Sequence, residues 1–228
     1  MSAPGNMAHF MMDTGSLSFW HLLTRLGEAQ TVLPVALLSA LVLMRQPDAR
    51  PVAWLWMAVL GVAIALTTAS KLAFIGWGIG WPALDFTGIS GHAMFASAVY
   101  PLLMGSVVAA RAPPAVRRLA IAIGFGLALL VGISRVVIGV HSVSEVVAGL
   151  LLGGIASALV LGMVRLPRVA IGPLVPAAVL LFVALMPAHA PASLSHPAVT
   201  KLALILSGNK LPYTRADMLR KLRAPATV

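Results

Sequence analysis

The sequence contains no cysteine and few charged residues. Without cysteine, its 228 residues cannot form a disulfide, a thiolate nucleophile or a zinc-thiolate site. Only 10% of the residues are charged, whereas soluble domains carry about 25%. Because 60% are hydrophobic and the mean hydropathy is +0.97, too little polar surface is available to cover a core in water. The composition therefore predicts an integral membrane protein.

Acidic residues are especially scarce. Six Asp and Glu stand against 16 Lys and Arg, which gives a formal net charge of +10. The basic residues are spread over short loops and the C-terminal tail, a pattern typical of topology signals and of contacts with phospholipid headgroups. No basic helix is interleaved with aromatic residues, so we expect membrane lipids as partners and no nucleic acid.

Hydrophobic runs predict an all-α polytopic membrane protein with six transmembrane helices. The predicted spans are 28–44, 52–70, 92–110, 119–133, 142–164 and 169–186, each near the ~20 residues that cross a bilayer. Residues 1–27 lack a basic stretch before an apolar core, so no cleavable signal peptide is predicted, and 17–26 reads as a short helix at the membrane surface. The chain thus divides into an N-terminal interfacial segment (1–27), a transmembrane domain (28–187) and a polar, basic C-terminal tail (188–228).

Arginines in alternate loops predict the orientation. The loops after the first, third and fifth spans carry Arg45, Arg50, Arg111, Arg117, Arg118, Arg165 and Arg168. By the positive-inside rule these loops are cytoplasmic, so both termini and the other two loops between spans lie outside. The tail residues Lys201, Lys210, Arg215, Arg220, Lys221 and Arg223 argue the other way, but the tail is long and mostly distant from the last span.

The two outer loops hold polar groups that topology does not explain. Lys71 ends the second span, GISGH occupies 88–92, and SRVVIGVHSVSE occupies 134–145. Lys71 and Arg135 can neutralise a phosphate, and arginine offers paired donors that match phosphate oxygens. Ser90, Gly91 and His92 would begin the third span, where free N–H groups and the helix dipole favour an anion. The loops therefore predict a phosphate-transfer site.

Two histidines supply the chemistry that such a site requires. A neutral imidazole can attack phosphorus, and a protonated imidazole can donate to the leaving oxygen. His141 is the better nucleophile because Glu145 lies four residues further on, where a helix would place its carboxylate on the same face to orient the ring. His92 is then the general acid.

These residues resemble the motifs of the type 2 phosphatidic acid phosphatase (PAP2) superfamily, K-x6-R-P, P-S-G-H and S-R-x5-H-x3-D. The third motif matches from Ser134 and Arg135 through His141, with Glu145 in place of aspartate. The second appears as Ile89-Ser90-Gly91-His92, without its proline. After Lys71 the first motif is poorly matched: Trp81-Pro82 stands where Arg-Pro is expected, so the second phosphate-binding arginine has no assigned counterpart.

The resemblance implies a membrane lipid phosphatase that works without a metal or other cofactor. It implies that His141 forms a phosphohistidine, that Glu145 orients it and that His92 protonates the leaving group. The same resemblance implies a phosphate site made of Lys71, Ser90, Gly91, Ser134 and Arg135. The substrate would be a lipid phosphate monoester or diphosphate, for example phosphatidic acid, phosphatidylglycerol phosphate, an undecaprenyl diphosphate or a lipid A phosphate. The location would be a bacterial inner membrane, with the site facing the periplasm.

The same residues allow other interpretations. The protein could bind or transport an anionic lipid without chemistry, or be an inactive member of the same fold. Ser142 and Glu145 form an S-x-x-E capping box, so Glu145 could serve only the first turn of its helix. Arg135 could anchor to headgroups, and His92 could be an interfacial side chain. The role of Asp85, close to a phosphate site, and the oligomeric state are not explained by the sequence.

Other residue types are expected to serve structure. His9, His21, His189 and His196 have no partner constellation and read as surface residues. The tryptophans expected at the membrane interface are Trp54, Trp56, Trp77 and Trp81. The glycines expected to permit close helix packing are Gly149, Gly153, Gly154 and Gly162.

Overall fold

The chain folds into helices joined by short loops. A computed structural model describes residues 14–108, 112–163 and 195–223. Within these ranges the helices are α1 (Thr14–Arg25), α2 (Ala29–Met44), α3 (Arg50–Trp77), α4 (Gly91–Val108), α5 (Pro114–Val137), α6 (Val143–Met163), α7 (Ser195–Ser207) and α8 (Arg215–Arg223). Short 3-10 turns span Pro47–Ala49 and Pro82–Leu84. The described residues contain no β-strand beyond an isolated bridge between Trp81 and Phe86, so the all-α prediction is confirmed.

Five of the helical segments are long and apolar enough to cross a membrane. Four of them correspond to the second to fifth predicted spans. The first, Ser18–Met44, joins the predicted span 28–44 to the stretch 17–26, which was expected to be a surface helix. The sixth predicted span, 169–186, lies outside the described residues. Two of the predicted boundaries near the site were wrong. Helix α3 does not end at Lys71 but continues to Trp77, where Gly78 takes a left-handed conformation and its N–H donates to the Phe74 carbonyl. Likewise Arg135 is not in a loop, because it lies in the last turn of α5.

Helix α4 is the centre of the bundle. Of its 18 residues 67% are buried, whereas 33–39% are buried in the most apolar 18-residue stretch of each other candidate span. Glycines bring α6 close to it: a Cβ at Gly149 would lie 2.5 Å from the Ser90 carbonyl oxygen, and one at Gly153 would lie 2.9 Å from the Ala98 nitrogen. These contacts fix the position of the start of α4 relative to the start of α6, and both starts carry predicted site residues.

One structural expectation for the tryptophans was wrong. Trp56 is not interfacial: it is buried in the core, where its Nε1–H donates to the Ala98 carbonyl at 3.2 Å. Among the described residues no atom lies within 4 Å of a Cβ built at Gly162, so close helix packing at this glycine stays a prediction. Trp54, Trp77 and Trp81 are exposed, as membrane-interface side chains would be.

The tail folds back onto the end of α3. Helix α7 packs along this end, with Ala203 in a small core together with Phe74, Ile75 and Met218. The Tyr213 N–H donates to the Ile75 carbonyl at 2.9 Å. Asn209 Nδ2 donates to the Gly76 carbonyl at 2.6 Å. Backbone carbonyls in the last turn of α3 thus find their donors in the tail.

Candidate active site

A cavity of about 770 Å³ lies where α3 ends, α4 begins, α5 ends and α6 begins. The predicted residues on its wall are Lys71, Gly91, His92, Arg135 and His141. They come from four separate parts of the sequence. The structure therefore brings together the groups of all three motifs, as the phosphate-site hypothesis requires.

His141 and Glu145 form a close pair. The imidazole Nδ1 and Glu145 Oε2 are 2.6 Å apart, and the Glu145 side chain is fully buried. With Nδ1–H donating to the carboxylate, the lone pair on Nε2 is left for chemistry. The i, i+4 spacing thus places the Glu145 carboxylate where it orients the His141 ring as a nucleophile.

Glu145 is also the capping-box residue of α6. Its Oε2 accepts from the Ser142 N–H at 3.1 Å, and the Ser142 hydroxyl lies 3.4 Å from the Glu145 nitrogen. The capping alternative is therefore correct but incomplete, because the same carboxylate oxygen holds His141.

The other carboxylate oxygen of Glu145 joins two further segments. Oε1 accepts from the Thr87 N–H at 2.7 Å and from the Thr87 hydroxyl. It also accepts from Arg215 Nη2 at 2.7 Å, an ion pair that spans 70 residues of sequence. A buried carboxylate needs such donors to stay ionised. Glu145 thus links the loop before α4, the tail and His141.

The start of α4 is held from several sides. The Ser90 N–H donates to the Glu145 backbone carbonyl at 3.0 Å. Gly88, with φ +142°, packs against Lys71: a Cβ there would lie 3.1 Å from Lys71 Cγ. A Cβ at Gly27 would lie 2.9 Å from His92 Cβ, so the connection between α1 and α2 supports His92 directly. His92, Gly91 and Lys71 are thereby fixed around the helix N-terminus, where an anion is favoured.

Arg135 reaches into the cavity from the last turn of α5. Its Nη1 donates to the Thr24 hydroxyl of α1 at 2.8 Å. Its buried Nε has no hydrogen-bond acceptor within the described ranges. A buried guanidinium donor without a partner is costly, and a bound anion would satisfy it. The position on the cavity wall favours a ligand site over a simple headgroup anchor.

Two residues predicted to bind substrate do not reach the cavity wall. Ser134 is buried, and its hydroxyl donates to the Val131 carbonyl at 2.6 Å. The Ser90 side chain is also buried, and its hydroxyl has no partner in the described part of the chain. The exposed side chain of His196, by contrast, lines the cavity, although its sequence suggested only a surface residue.

Sequence reasoning missed Thr24, Thr87 and Arg215. Each belongs to a segment outside the three motifs and contacts a site residue only in the folded protein. The structure also pairs Asp85, since Arg215 Nη1 lies 3.2 Å from its Oδ2. Asp85 therefore stands beside a cation rather than alone near the cavity.

Burial lowers the pKa of the His141 imidazole, and the nearby Lys71 and Arg135 charges act in the same direction. The hydrogen bond and negative charge of Glu145 oppose this shift in the pKa. The net result favours a neutral imidazole, which is the form able to attack.

Comparisons with known proteins agree with this architecture. Residues 70–168 match the model of the PAP2 superfamily. An uncharacterized 22.5 kDa protein in the cps region of Klebsiella pneumoniae is 44% identical over 142 residues, which cover 62% of this chain and 68% of that protein. The crystal structure of a transmembrane PAP2-type phosphatidylglycerolphosphate phosphatase from Bacillus subtilis superposes with a TM-score of 0.53. The two sequences are 26% identical, and the superposed region covers 67% of this chain and 78% of the Bacillus subtilis chain.

The helical bundle and these matches place the chain in the class of integral membrane phosphatases. The chain belongs to the PAP2 superfamily.

Proposed function

We propose that the protein hydrolyses a lipid phosphate monoester or diphosphate through a phosphohistidine intermediate, at the periplasmic face of a bacterial inner membrane. The observation that carries this proposal is the buried His141–Glu145 pair at a cavity whose wall also holds Lys71, His92 and Arg135. This arrangement and membership of the PAP2 superfamily support the residue roles in the proposal.

In the first step His141 Nε2 attacks phosphorus. A P–N bond forms as the P–O bond to the lipid breaks, and the bonding electrons go to the leaving oxygen, which takes a proton from His92. Lys71, Arg135 and the N–H groups at the start of α4 offset the charge on the phosphoryl oxygens. Glu145 stabilises the positive charge that develops on the His141 ring.

In the second step water attacks the phosphohistidine. His92, now neutral, accepts a proton from the water as its oxygen bonds to phosphorus. The P–N bond breaks, its electrons return to Nε2, and inorganic phosphate leaves. Both histidines are then in their starting protonation states. The residues of the site account for each transfer without a metal, and metal independence stays a prediction.

The cavity walls suit a lipid. Beside the cationic groups, the cavity is lined by apolar side chains of α2, α3 and the loop before α6, among them Leu33, Ile64 and Val140. Leu33 and Val140 are exposed on the protein surface. A headgroup could therefore reach the polar residues while its chain stays in the bilayer, which supports lateral entry of the substrate.

A phosphate-release panel tests the proposal. The purified protein in detergent, with EDTA present, is offered phosphatidic acid, phosphatidylglycerol phosphate, undecaprenyl diphosphate and a lipid A phosphate. We expect release from at least one of them and inhibition by vanadate, which mimics phosphate at a nucleophile. Binding that depends on Arg135, with no release from any lipid, would favour the lipid-binding alternative. Release that vanadate does not affect would contradict the phosphohistidine.

The side of the membrane is tested by reporters. Because α7 packs against the end of α3 that carries the site, the tail and the loop 78–90 must lie on one side of the membrane. We expect reporters inserted in that loop and fused after Val228 both to appear outside, and one in the loop 45–49 to appear inside. A cytoplasmic signal from the first two reporters would reverse the orientation.

The lowered pKa of His141 predicts the acidic side of the pH profile. Attack requires the neutral ring, and the ordinary pKa of histidine is about 6.5. We therefore expect kcat/KM to stay high as the pH falls through about 6.5 and to decline only below it, because kcat/KM reports the ionisation of the free enzyme. Measuring kcat/KM from about pH 4 to 8 tests this. A decline centred above pH ~6.5 would show that the ring is not held neutral.

A further inference from the structure

We propose that Arg215 binds the substrate phosphate in place of the arginine that the first motif lacks, which makes the C-terminal tail part of the active site. This inference rests on the proposed function and adds a residue to it. Arg215 lies at the start of α8, far in sequence from every motif, and its side chain lines the same cavity as Lys71 and Arg135.

The contacts of Arg215 leave donors for a ligand. Nη2 donates to Glu145 Oε1 at 2.7 Å and lies 3.4 Å from the Thr87 hydroxyl, and Nη1 donates to Asp85 Oδ2 at 3.2 Å. A guanidinium has five N–H donors, so Nε–H and one Nη1–H have no acceptor within the described ranges. The side chain is 33% exposed and lines the cavity, so it can contact a bound phosphate.

Charge gives a second argument. Without Arg215, the cations Lys71 and Arg135 would stand against the carboxylates of Glu28, Glu145 and Asp85, so negative charge would exceed positive charge around the cavity. Arg215 balances these carboxylates, and the protonated His92 of the proposed mechanism then makes the sum positive. A positive sum favours binding of a phosphate with up to two negative charges.

The fold holds Arg215 firmly in place. Thr214 caps α8 together with Asp217, whose Oδ2 accepts from the Thr214 N–H at 3.0 Å. One residue before the cap, Tyr213 packs edge-on against Phe74 of α3, with ring centroids 5.5 Å apart. The start of α8 is thus attached to the end of α3, and Arg215 is presented to the cavity at a fixed position.

The same ion pair gives Arg215 a second effect, on Glu145. Glu145 Oε2 holds His141 while Oε1 is held by Arg215 and Thr87, so the carboxylate is fixed at both ends. Loss of Arg215 would therefore weaken phosphate binding directly and loosen the His141–Glu145 pair indirectly.

Arg215→Gln, Arg215→Lys and the matched control Arg220→Gln test the inference in the full-length protein. Arg220 lies on the same helix, but its side chain is 78% exposed and does not line the cavity. We measure kcat and KM for the best lipid in the panel, the inhibition constant of inorganic phosphate, equilibrium binding of inorganic phosphate, and the thermal unfolding midpoint. For Arg215→Gln we expect phosphate affinity to fall about 10-fold and kcat/KM about 100-fold. Arg215→Lys should recover part of both, and Arg220→Gln should match the wild type.

The outcomes separate the two proposals. If the wild type binds phosphate but turns over no lipid phosphate, the proposed function fails, while weaker binding by Arg215→Gln still supports the tail's role. If the wild type is active and Arg215→Gln equals Arg220→Gln in turnover and phosphate affinity, the inference is overturned and the proposed function stands. A fall in kcat with unchanged phosphate affinity also overturns it, because Arg215 would then act only through Glu145.

Discussion

His141→Ala is expected to abolish phosphate release while leaving the fold intact. The variant removes the one protein atom proposed to bond to phosphorus, so the covalent intermediate cannot form and the second step cannot take place. Removal of a covalent nucleophile costs enzymes at least about 10³-fold in kcat. The measurement is phosphate release by wild type and variant in detergent on the lipid that the panel identifies.

The control is His21→Ala, which removes an exposed histidine of α1. It should retain wild-type activity, and all three proteins should have similar helix content and similar thermal unfolding midpoints. His141→Ala should also fail to form the phosphorylated protein that is trapped by rapid acid quench of the wild type. Activity of His141→Ala within about 10-fold of wild type would exclude His141 as the nucleophile.

Local pattern explains why much of this site could be predicted. His141 and Glu145 are four residues apart at a helix start, so one turn of backbone geometry is enough to place them together. Gly91 and His92 begin α4, as the predicted start of the third span indicated. Each prediction required only a helix boundary and a residue type.

The remaining residues of the site depend on tertiary contacts that no local pattern encodes. Thr24 meets Arg135 across 111 residues, and Arg215 meets Glu145 across 70. The tail looked like a polar segment with topology charges, and the residues that pack it against α3 are spread along it: Val199, Ala203, Tyr213, Met218 and Leu219. Only the fold reveals that they attach it to the end of α3.

Trp56 illustrates the same limit on the apolar side. A tryptophan near a helix end is often interfacial, and Trp54 fits that pattern. Trp56 differs because two residues along a helix turn the side chain to another face, here toward α4 and the Ala98 carbonyl. Composition alone does not tell which helix face meets a neighbour when both protein core and lipid are apolar.

Glu145→Gln is expected to have the second-largest effect. An amide of nearly the same size keeps the packing but removes the negative charge that stabilises the positive charge developing on the His141 ring as Nε2 bonds to phosphorus. It also turns one acceptor into a donor, so it cannot accept from both His141 and Arg215. In a comparable histidine–carboxylate pair, the amide costs about 10⁴-fold in kcat, and we expect about 10³-fold here. The measurement is kcat of this variant, compared with kcat of the control Ser144→Ala. Ser144 lies in the first turn of α6, and its hydroxyl bonds to the Leu84 carbonyl and the Ser142 hydroxyl rather than to His141 or Glu145.

Glu145→Asp decides whether the longer side chain is matched to this site. Aspartate would restore the motif of the superfamily, yet it lacks one methylene of the arm that lets Oε2 hold His141 while Oε1 reaches Thr87 and Arg215. A shorter carboxylate can keep the His141 contact only by giving up the loop and the tail. We therefore expect kcat to fall about 10-fold, a loss typical of a residue that positions a catalytic group rather than of the nucleophile itself. Adding Arg215→Gln to Glu145→Asp should cost less than Arg215→Gln costs in the wild type, because both changes weaken the same ion pair. Activity equal to or above wild type would mean that His141 needs only the near oxygen, and that the contacts of Glu145 with Thr87 and Arg215 serve the fold instead of the reaction.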